Sequence, residues 1–278
     1  MTVTDWRDDG DTEEATEYER ANQAQWMSLA RLLRWDYNAS AGIGAALSQA
    51  DRVTIDGPTR DLEDERVAAA VLEYNGTHQN IYSEGPSQGL RARLLYETYK
   101  PFKTRSTSYE GEIYRVDLNG YLPFGKTVLA LRGIEASSSG ITERFELGGT
   151  YHEFYSPIPL LNERRLALRG YRRNLPQLRG EEIRLGSLEF RFPIADVDRH
   201  IMVPPIGVNR ISGTVFYDIG RATGNNFAHK YYQGVGAEVM GELRAGYLFY
   251  LQVRGGVAHG LDDLGETQFY LRVGRNFY

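Results

Sequence analysis

Apolar and polar side chains alternate along much of this chain, which is the pattern of β-strands with two unlike faces. Between residues 247 and 257, Leu251 and Val253 fall on one face, while Gln252 and Arg254 fall on the other. The same alternation predicts strands near residues 38–50, 66–79, 88–100, 107–122, 126–137, 183–194, 210–220, 233–245, 247–257 and 266–278. Each is about ten residues long, which is enough to cross the apolar layer of a membrane at a tilt.

The segment 25–36 has a pattern that fits two structures. Trp26, Leu29, Ala30 and Leu33 have the spacing of a helix face, but the segment also fits a first strand. Ten strands would bring both chain ends to the same side of a barrel, and an eleventh would need another strand from the leader to keep the count even. We therefore expect ten to twelve strands.

The last predicted strand is apolar on one face and polar on the other, and it finishes on two aromatic residues. Its residues divide into the apolar Phe269, Leu271, Val273 and Phe277 on one face and Gln268, Tyr270, Arg272, Gly274 and Asn276 on the other, with Tyr278 at the end. This arrangement suits the closing strand of an outer-membrane barrel. An amphipathic strand of a soluble sandwich is the alternative.

The connections between the predicted strands favour the barrel. Short turns near residues 122–126 and 244–247 alternate with longer loops near 51–65, 101–106, 138–182, 221–232 and 258–265. Only 195–209 is fairly long and falls on the side of the short turns. Short turns on one side and long loops on the other are typical of outer-membrane barrels. The predicted fold is thus all-β, a transmembrane antiparallel β-barrel over residues 25–278.

Composition narrows the possible partners. The formal net charge of −5 gives no support to nucleic-acid binding, and no apolar run is long enough for a membrane-spanning helix. Residues 1–24 are rich in Asp and Glu and predict a flexible leader or linker. They lack the basic start and apolar core of a secretory signal, so we expect a mature or truncated chain.

Four short motifs follow one another within and after the 138–182 loop. They are Phe145-Glu146-Leu147-Gly148-Gly149, Leu168-Arg169-Gly170-Tyr171, Ser187-Leu188-Glu189-Phe190-Arg191-Phe192-Pro193 and Phe216-Tyr217-Asp218-Ile219-Gly220. Their order resembles the bacterial surface antigen superfamily, the BamA/TamA-like outer-membrane assembly and translocation barrels. The turn at 82–89 resembles the Pro-x-x-Gly turn of that family. The resemblance covers about residues 66–278.

The resemblance implies that loop 138–182, which is extracellular, folds back into the lumen. Arg169 would then meet Asp218 and Glu189 on the inner wall, and Gly170 would allow a sharp turn at the loop tip. The alternation supports this, because Asp218 shares a face with Phe216 and Gly220, and Glu189 shares one with Arg191. The alternative is that Arg169 lies on an exposed, arginine-rich loop. The family also implies an assembly signal in the last strand, formed by Phe269, Leu271, Val273, Gly274, Phe277 and Tyr278.

The family further implies a role in outer-membrane protein assembly or translocation. The expected partners are outer-membrane lipid and lipopolysaccharide, client proteins, or a partner chain that completes the barrel. Family members have about sixteen strands and periplasmic POTRA domains, which this chain has no room for, so a passive pore or a membrane anchor for a missing N-terminal domain are alternatives. The five His residues are scattered and the Gly-x-Ser-x-Gly motif is absent, so we expect no enzyme activity, metal or cofactor.

Overall fold

The structure of the chain is a computed structural model. It describes residues 2–3, 17–31, 38–54, 60–80, 83, 85–101, 110–141, 145–150, 164–201, 206–224, 230–245 and 249–274. The predicted turn at 82–89 lies partly outside these residues, and Phe277 and Tyr278 lie wholly outside them.

Twelve strands form one antiparallel sheet in which neighbours along the chain are neighbours in space. They are β1 (Thr2–Val3), β2 (Glu17–Arg31), β3 (Ala39–Thr54), β4 (Arg60–Asn75), β5 (Gly89–Pro101), β6 (Glu110–Phe124), β7 (Thr127–Ile141), β11 (Glu182–Ile201), β12 (Ile206–Thr223), β13 (Tyr232–Ala245), β14 (Phe249–Gly260) and β15 (Thr267–Gly274). Between β7 and β11 lie three short strands, β8 (Phe145–Leu147), β9 (Arg165–Leu166) and β10 (Arg179–Gly180), and a 3-10 helix at Pro176–Leu178. The predicted all-β antiparallel fold is confirmed.

Several predicted boundaries differ from the structure, and two of the differences change the interpretation of a whole segment. Strand β2 begins at Glu17, so its first part lies within the segment 1–24 that was expected to be a flexible leader. It ends at Arg31, so the described part of the segment 25–36 is a strand and not a helix. The expected loop 195–209 is also shorter, because β11 runs to Ile201 and β12 starts at Ile206. Register shifts between Pro193 and Ala195 and between Asp196 and Arg199 interrupt the alternation there, which is why the pattern ended early.

The two faces of the sheet differ sharply in chemistry. The inner face, defined by the buried side chains, carries ionisable groups that include Arg93, Glu97, Arg115, Asp117, Arg191, Asp218, Glu238 and Arg254. The outer face exposes large apolar side chains that include Leu94, Leu118, Leu131, Leu188, Phe190, Val215, Val239, Phe269, Leu271 and Val273. A soluble sheet would bury its apolar face and expose its charges to water. This sheet instead exposes large apolar side chains on one face and buries many ionisable groups on the other.

No helix in the described part of the chain is long and apolar enough to cross a membrane.

The segment between β7 and β11, residues 142–181, is here called the excursion. Within it, β8 pairs with β9 in parallel and with β10 in antiparallel orientation, so the described part has its own small sheet. The described part of the excursion lies against the inner face, where its apolar side chains form a core with residues of the large sheet. The core includes Phe145, Leu147, Leu166, Leu168, Tyr171, Leu175 and Leu178 from the excursion and Tyr99, Ile113, Ile134, Ala136, Ile183, Leu185, Ala222 and Tyr232 from the large sheet.

Candidate functional site at the tip of the excursion

The loop tip, residues 168–171, lies against the inner face at strands β11 to β15. Gly170 has a φ of 93°, a left-handed conformation that only glycine adopts at little cost. A Cβ at Gly170 would also collide with the backbone of Gly260. The backbone around the turn is bonded at both ends, because the Gly170 N–H donates to Gln268 Oε1 at 3.2 Å and the Glu266 N–H donates to the Gly170 carbonyl at 2.9 Å. The geometry of this turn therefore requires glycine at position 170.

The guanidinium of Arg169 forms a two-pronged ion pair with Asp218 on β12. Nε lies 2.6 Å from Asp218 Oδ2, and Nη2 lies 2.8 Å from Oδ1. The planar fork of an arginine matches both oxygens of a carboxylate, which makes such pairs geometrically specific. The side chains are 9% and 2% exposed, respectively, so water screens the pair very little. The Ser187 hydroxyl completes the contact by donating to Asp218 Oδ1 at 2.6 Å.

Two further carboxylates and an aromatic ring surround the same guanidinium. Nη2 of Arg169 lies 3.0 Å from Glu189 Oε1, and Nη1 lies 3.3 Å from Glu238 Oε1. The guanidinium carbon lies 3.4 Å from the centre of the Phe216 ring, which is cation–π geometry. Arg191 binds the other oxygen of Glu189 at 2.7 Å. The positive charge of the loop tip is thus held by groups from three strands.

Glu238 on β13 receives donors from four side chains. Besides Arg169, its carboxylate accepts from Arg254 on β14 at 2.8 Å and from Arg272 on β15 at 2.8 Å. The Tyr270 hydroxyl donates to Oε1 at 2.5 Å. Only 1% of the Glu238 side chain is exposed. This one carboxylate therefore joins the loop tip to the last two strands of the sheet.

Tyr171 fastens the loop tip to the connection between β14 and β15. Its hydroxyl donates to the Gln233 carbonyl at 2.7 Å and also lies 3.0 Å from Asp262 Oδ2. Burial raises the pKa of Tyr171 to about 12, and the hydrogen bond to Asp262 adds to the rise. Burial alone would raise the pKa of Asp262, but bonds from the Gln233 N–H, Lys230 and Tyr171 outweigh it and lower that pKa.

Glycines on the wall make room for the loop tip. A Cβ at Gly234 would collide with the carbonyl oxygen of Arg169. A Cβ at Gly220 would lie 3.0 Å from Leu147 Cδ1 and 3.4 Å from Leu168 Cδ1. Leu168 is fully buried at this place. The small residues let the excursion approach the wall closely.

The structure brings most of the sequence-predicted site together. Arg169 contacts Asp218, Glu189 and Phe216, Gly220 lies under Leu168, and Arg191 reaches the cluster through Glu189. The last-strand residues Phe269, Leu271 and Val273 lie elsewhere, on the outer face, with 83%, 72% and 61% exposure, and the described part of β15 ends at Gly274.

Sequence reasoning missed part of the site. The missed residues are Ser187, Gln233, Glu238, Asp262, Tyr270 and Arg272. Two of them, Tyr270 and Arg272, fall on the polar face that was predicted for the last strand, but the alternation does not say which polar faces meet. Two glycines of β13 also belong to the site: Gly234 faces the loop tip, and a Cβ at Gly236 would collide with the Phe216 ring.

Within the described ranges, no group of three or more His, Asp or Glu side chains is arranged to hold a metal ion. The carboxylates at the loop tip are instead matched with arginines.

Comparisons with protein-family models and with curated proteins found no match. Among solved structures, 44 chains match. One is the crystal structure of BamA from Haemophilus ducreyi lacking POTRA domains 1-3, with a TM-score of 0.61 and 12% sequence identity. The alignment covers 94% of this chain and 55% of that one, so this chain spans about half the length of its structural relative. The resemblance to BamA-like barrels is confirmed at the level of the fold.

Proposed function

We propose that this chain is a bacterial outer-membrane β-barrel that acts in the assembly or translocation of outer-membrane proteins, with its loop tip docked in the lumen. The observation that carries the membrane part is the reversed chemistry of the sheet. Strands with apolar side chains outside and ion pairs inside are stable where the surrounding solvent is lipid. In this proposal the outer face contacts lipid and lipopolysaccharide, and client proteins or a chain that completes the barrel are the protein partners.

The docked loop tip favours this function over a passive pore. An open pore needs a water-filled path along its inner wall. Here the excursion packs a buried apolar core against that wall, and the ion pairs around Arg169 are buried as well. Such an interior suits a wall that is braced by the excursion.

The first experiment asks whether the chain forms a membrane barrel by itself. The chain is refolded in detergent and run on a gel with and without heating, beside circular dichroism. We expect a β spectrum and a band that shifts on heating. A soluble species without the shift would contradict the membrane proposal unless a second chain restores it.

The second experiment tests the role. Lipid vesicles that contain the refolded chain are mixed with an unfolded outer-membrane protein, and the rate of its insertion is compared with empty vesicles. The test variant R169M removes the tip guanidinium, and the matched control R184M removes an outer-face guanidinium that is paired with Glu135. We expect faster insertion with the wild type and R184M and a smaller gain with R169M. No gain over empty vesicles together with a steady ionic conductance would overturn the assembly role in favour of a pore.

A further inference from the structure

Strand β15 is held differently from the strands before it. It stands at one end of the strand order in the described sheet and pairs only with β14 there, over eight residues. Its outward side chains Phe269, Leu271 and Val273 are exposed and pack little against the protein. Its inward side chains Tyr270 and Arg272 both reach Glu238, two strands away. On the same face, Gln268 accepts from the Gly170 N–H at 3.2 Å, so β15 contacts both Glu238 and the loop tip itself.

The same carboxylate separates arginines that would otherwise repel one another. Arg254 and Arg272 are directly opposite each other on β14 and β15. Like charges at such positions destabilise a strand pair. Glu238 lies between them, with Oε2 bound to Arg254 and Oε1 bound to Arg272, each at 2.8 Å. Gly256 leaves the space for this, since a Cβ there would meet the Tyr270 ring at 2.7 Å and Glu238 Cγ at 2.9 Å.

The guanidinium of the loop tip belongs to the same cluster of charges. Around it, the guanidinium groups of Arg169, Arg191, Arg254 and Arg272 face the carboxylates of Glu189, Asp218 and Glu238. If Arg272 left the cluster with β15, Glu238 would be shared by fewer cations and its geometry toward Arg169 would change. If Arg169 left, the balance at the Arg254–Arg272 pair would change in the same way.

We propose that Glu238 is a positioning residue that couples the docking of the loop tip to the order of strand β15. The proposal rests on the docked loop tip of the proposed function and adds a regulation to it. Displacement of the inward face of β15 weakens the seat of Arg169, and undocking of the loop tip loosens β15. Coupling between two sites is reciprocal, so both directions must be observed with the same factor.

The test uses variants in β15 and reads out the excursion. R272M and Y270F each remove one contact to Glu238 without touching the excursion, and F269A alters the outward face of the same strand as a matched control. Tryptic cleavage in the region 164–179 is measured on the refolded chain in detergent. We expect R272M to speed cleavage by about fivefold or more, Y270F to act in the same direction and F269A to match the wild type.

The reverse arm reads out β15. Hydrogen exchange of the amides in 267–274 is compared between R169M, the outer-face control R184M and the wild type. We expect faster exchange only in R169M. If R272M and Y270F both speed the exchange of the β15 amides but leave tryptic cleavage of the excursion as slow as in the wild type, the coupling is wrong.

The failures of the two proposals remain distinguishable. If R169M exposes the excursion to trypsin but R272M and Y270F do not, the coupling through Glu238 is wrong and the docked loop tip stands. If R169M also leaves the excursion protected, the docked loop tip itself is wrong. Should R272M fail to refold, Y270F still decides the outcome, because it removes a single oxygen atom.

Discussion

Replacing Arg169 by methionine should release the loop tip from the inner wall. Methionine fills a similar volume but leaves Asp218, which is 2% exposed, without the two-pronged partner that balances its charge. Removing one partner of a buried ion pair typically costs about 3 kcal/mol or more, because the other charge stays buried and unpaired. Exposure of both groups is so low that solvent screening does not reduce this figure much.

That cost translates into a measurable opening. Since each 1.4 kcal/mol is a factor of about ten, the open population of the loop tip should rise by roughly a hundredfold. When closing is faster than cleavage, proteolysis follows the open population. Trypsin should therefore cut R169M much faster than the wild type at Arg164, Arg165, Arg172 and Arg173, and mass spectrometry of the fragments identifies the sites.

Two further variants separate the charge from the packing. R169K keeps the charge but not the fork, so we expect protection between those of the wild type and R169M. The double variant R169M/D218N removes both charges and should be better protected than R169M alone, because no unpaired Asp218 remains. R184M is the matched control on the outer face, where side chains are 53% and 61% exposed in the pair with Glu135. Equal cleavage of R169M and wild type, or of R169M and R184M, would refute the reasoning.

The remaining predictions concern the wall, pH and the last residues. G234A should cost about 2 kcal/mol through collision with the loop-tip carbonyl and expose the excursion to trypsin, whereas G241A, whose Cβ meets nothing within 4 Å, should not. Because the pKa of Asp262 is lowered, its stabilising contribution is fully present above its unfolded pKa of about 4 and is lost as pH falls from there through its lower folded pKa. The temperature at which the band shifts should therefore drop less on acidification in D262N than in the wild type. Deleting Phe277 and Tyr278 should impair insertion into membranes, and normal insertion of the shortened chain in cells would argue against an assembly signal there.

The strands could be predicted from sequence because alternation survives whichever side the solvent is on. The apolar positions Leu251 and Val253 alternate with Gln252 and Arg254 in the structure as the pattern indicated. For the same reason the alternation does not show which solvent faces the strand, since an alternating strand has the same pattern in water and in lipid. The burial of ionisable side chains such as Arg254, beside exposed apolar side chains on the outer face, distinguishes the two.

The partners of Arg169 could be predicted only in part. Asp218 and Glu189 came from the family resemblance together with their place on polar faces. Glu238 lies 69 residues from Arg169, and its approach depends on the register that sets Thr214 opposite Glu238. A single sequence does not reveal that register.

The apolar side of the excursion was also missed. Its buried residues Phe145, Leu147 and Leu178 alternate with polar residues, but only over segments that are too short for a periodicity argument. The first residues of β2 were expected to be flexible because they carry many charges. In the structure they pair with β3, so strand pairing overrides that composition.

The two ends of the excursion leave and re-enter the sheet side by side. Ser137 on β7 is opposite Glu182 on β11, and the Ser138 N–H donates to the Glu181 carbonyl at 2.8 Å. The β7–β11 pairing holds the ends of this long loop together whether or not the loop tip is docked. Docking therefore does not have to offset the entropic cost of closing the loop. Undocking of the loop tip leaves the β7–β11 pairing at the base of the excursion in place, so the excursion stays anchored there and can return to the inner face.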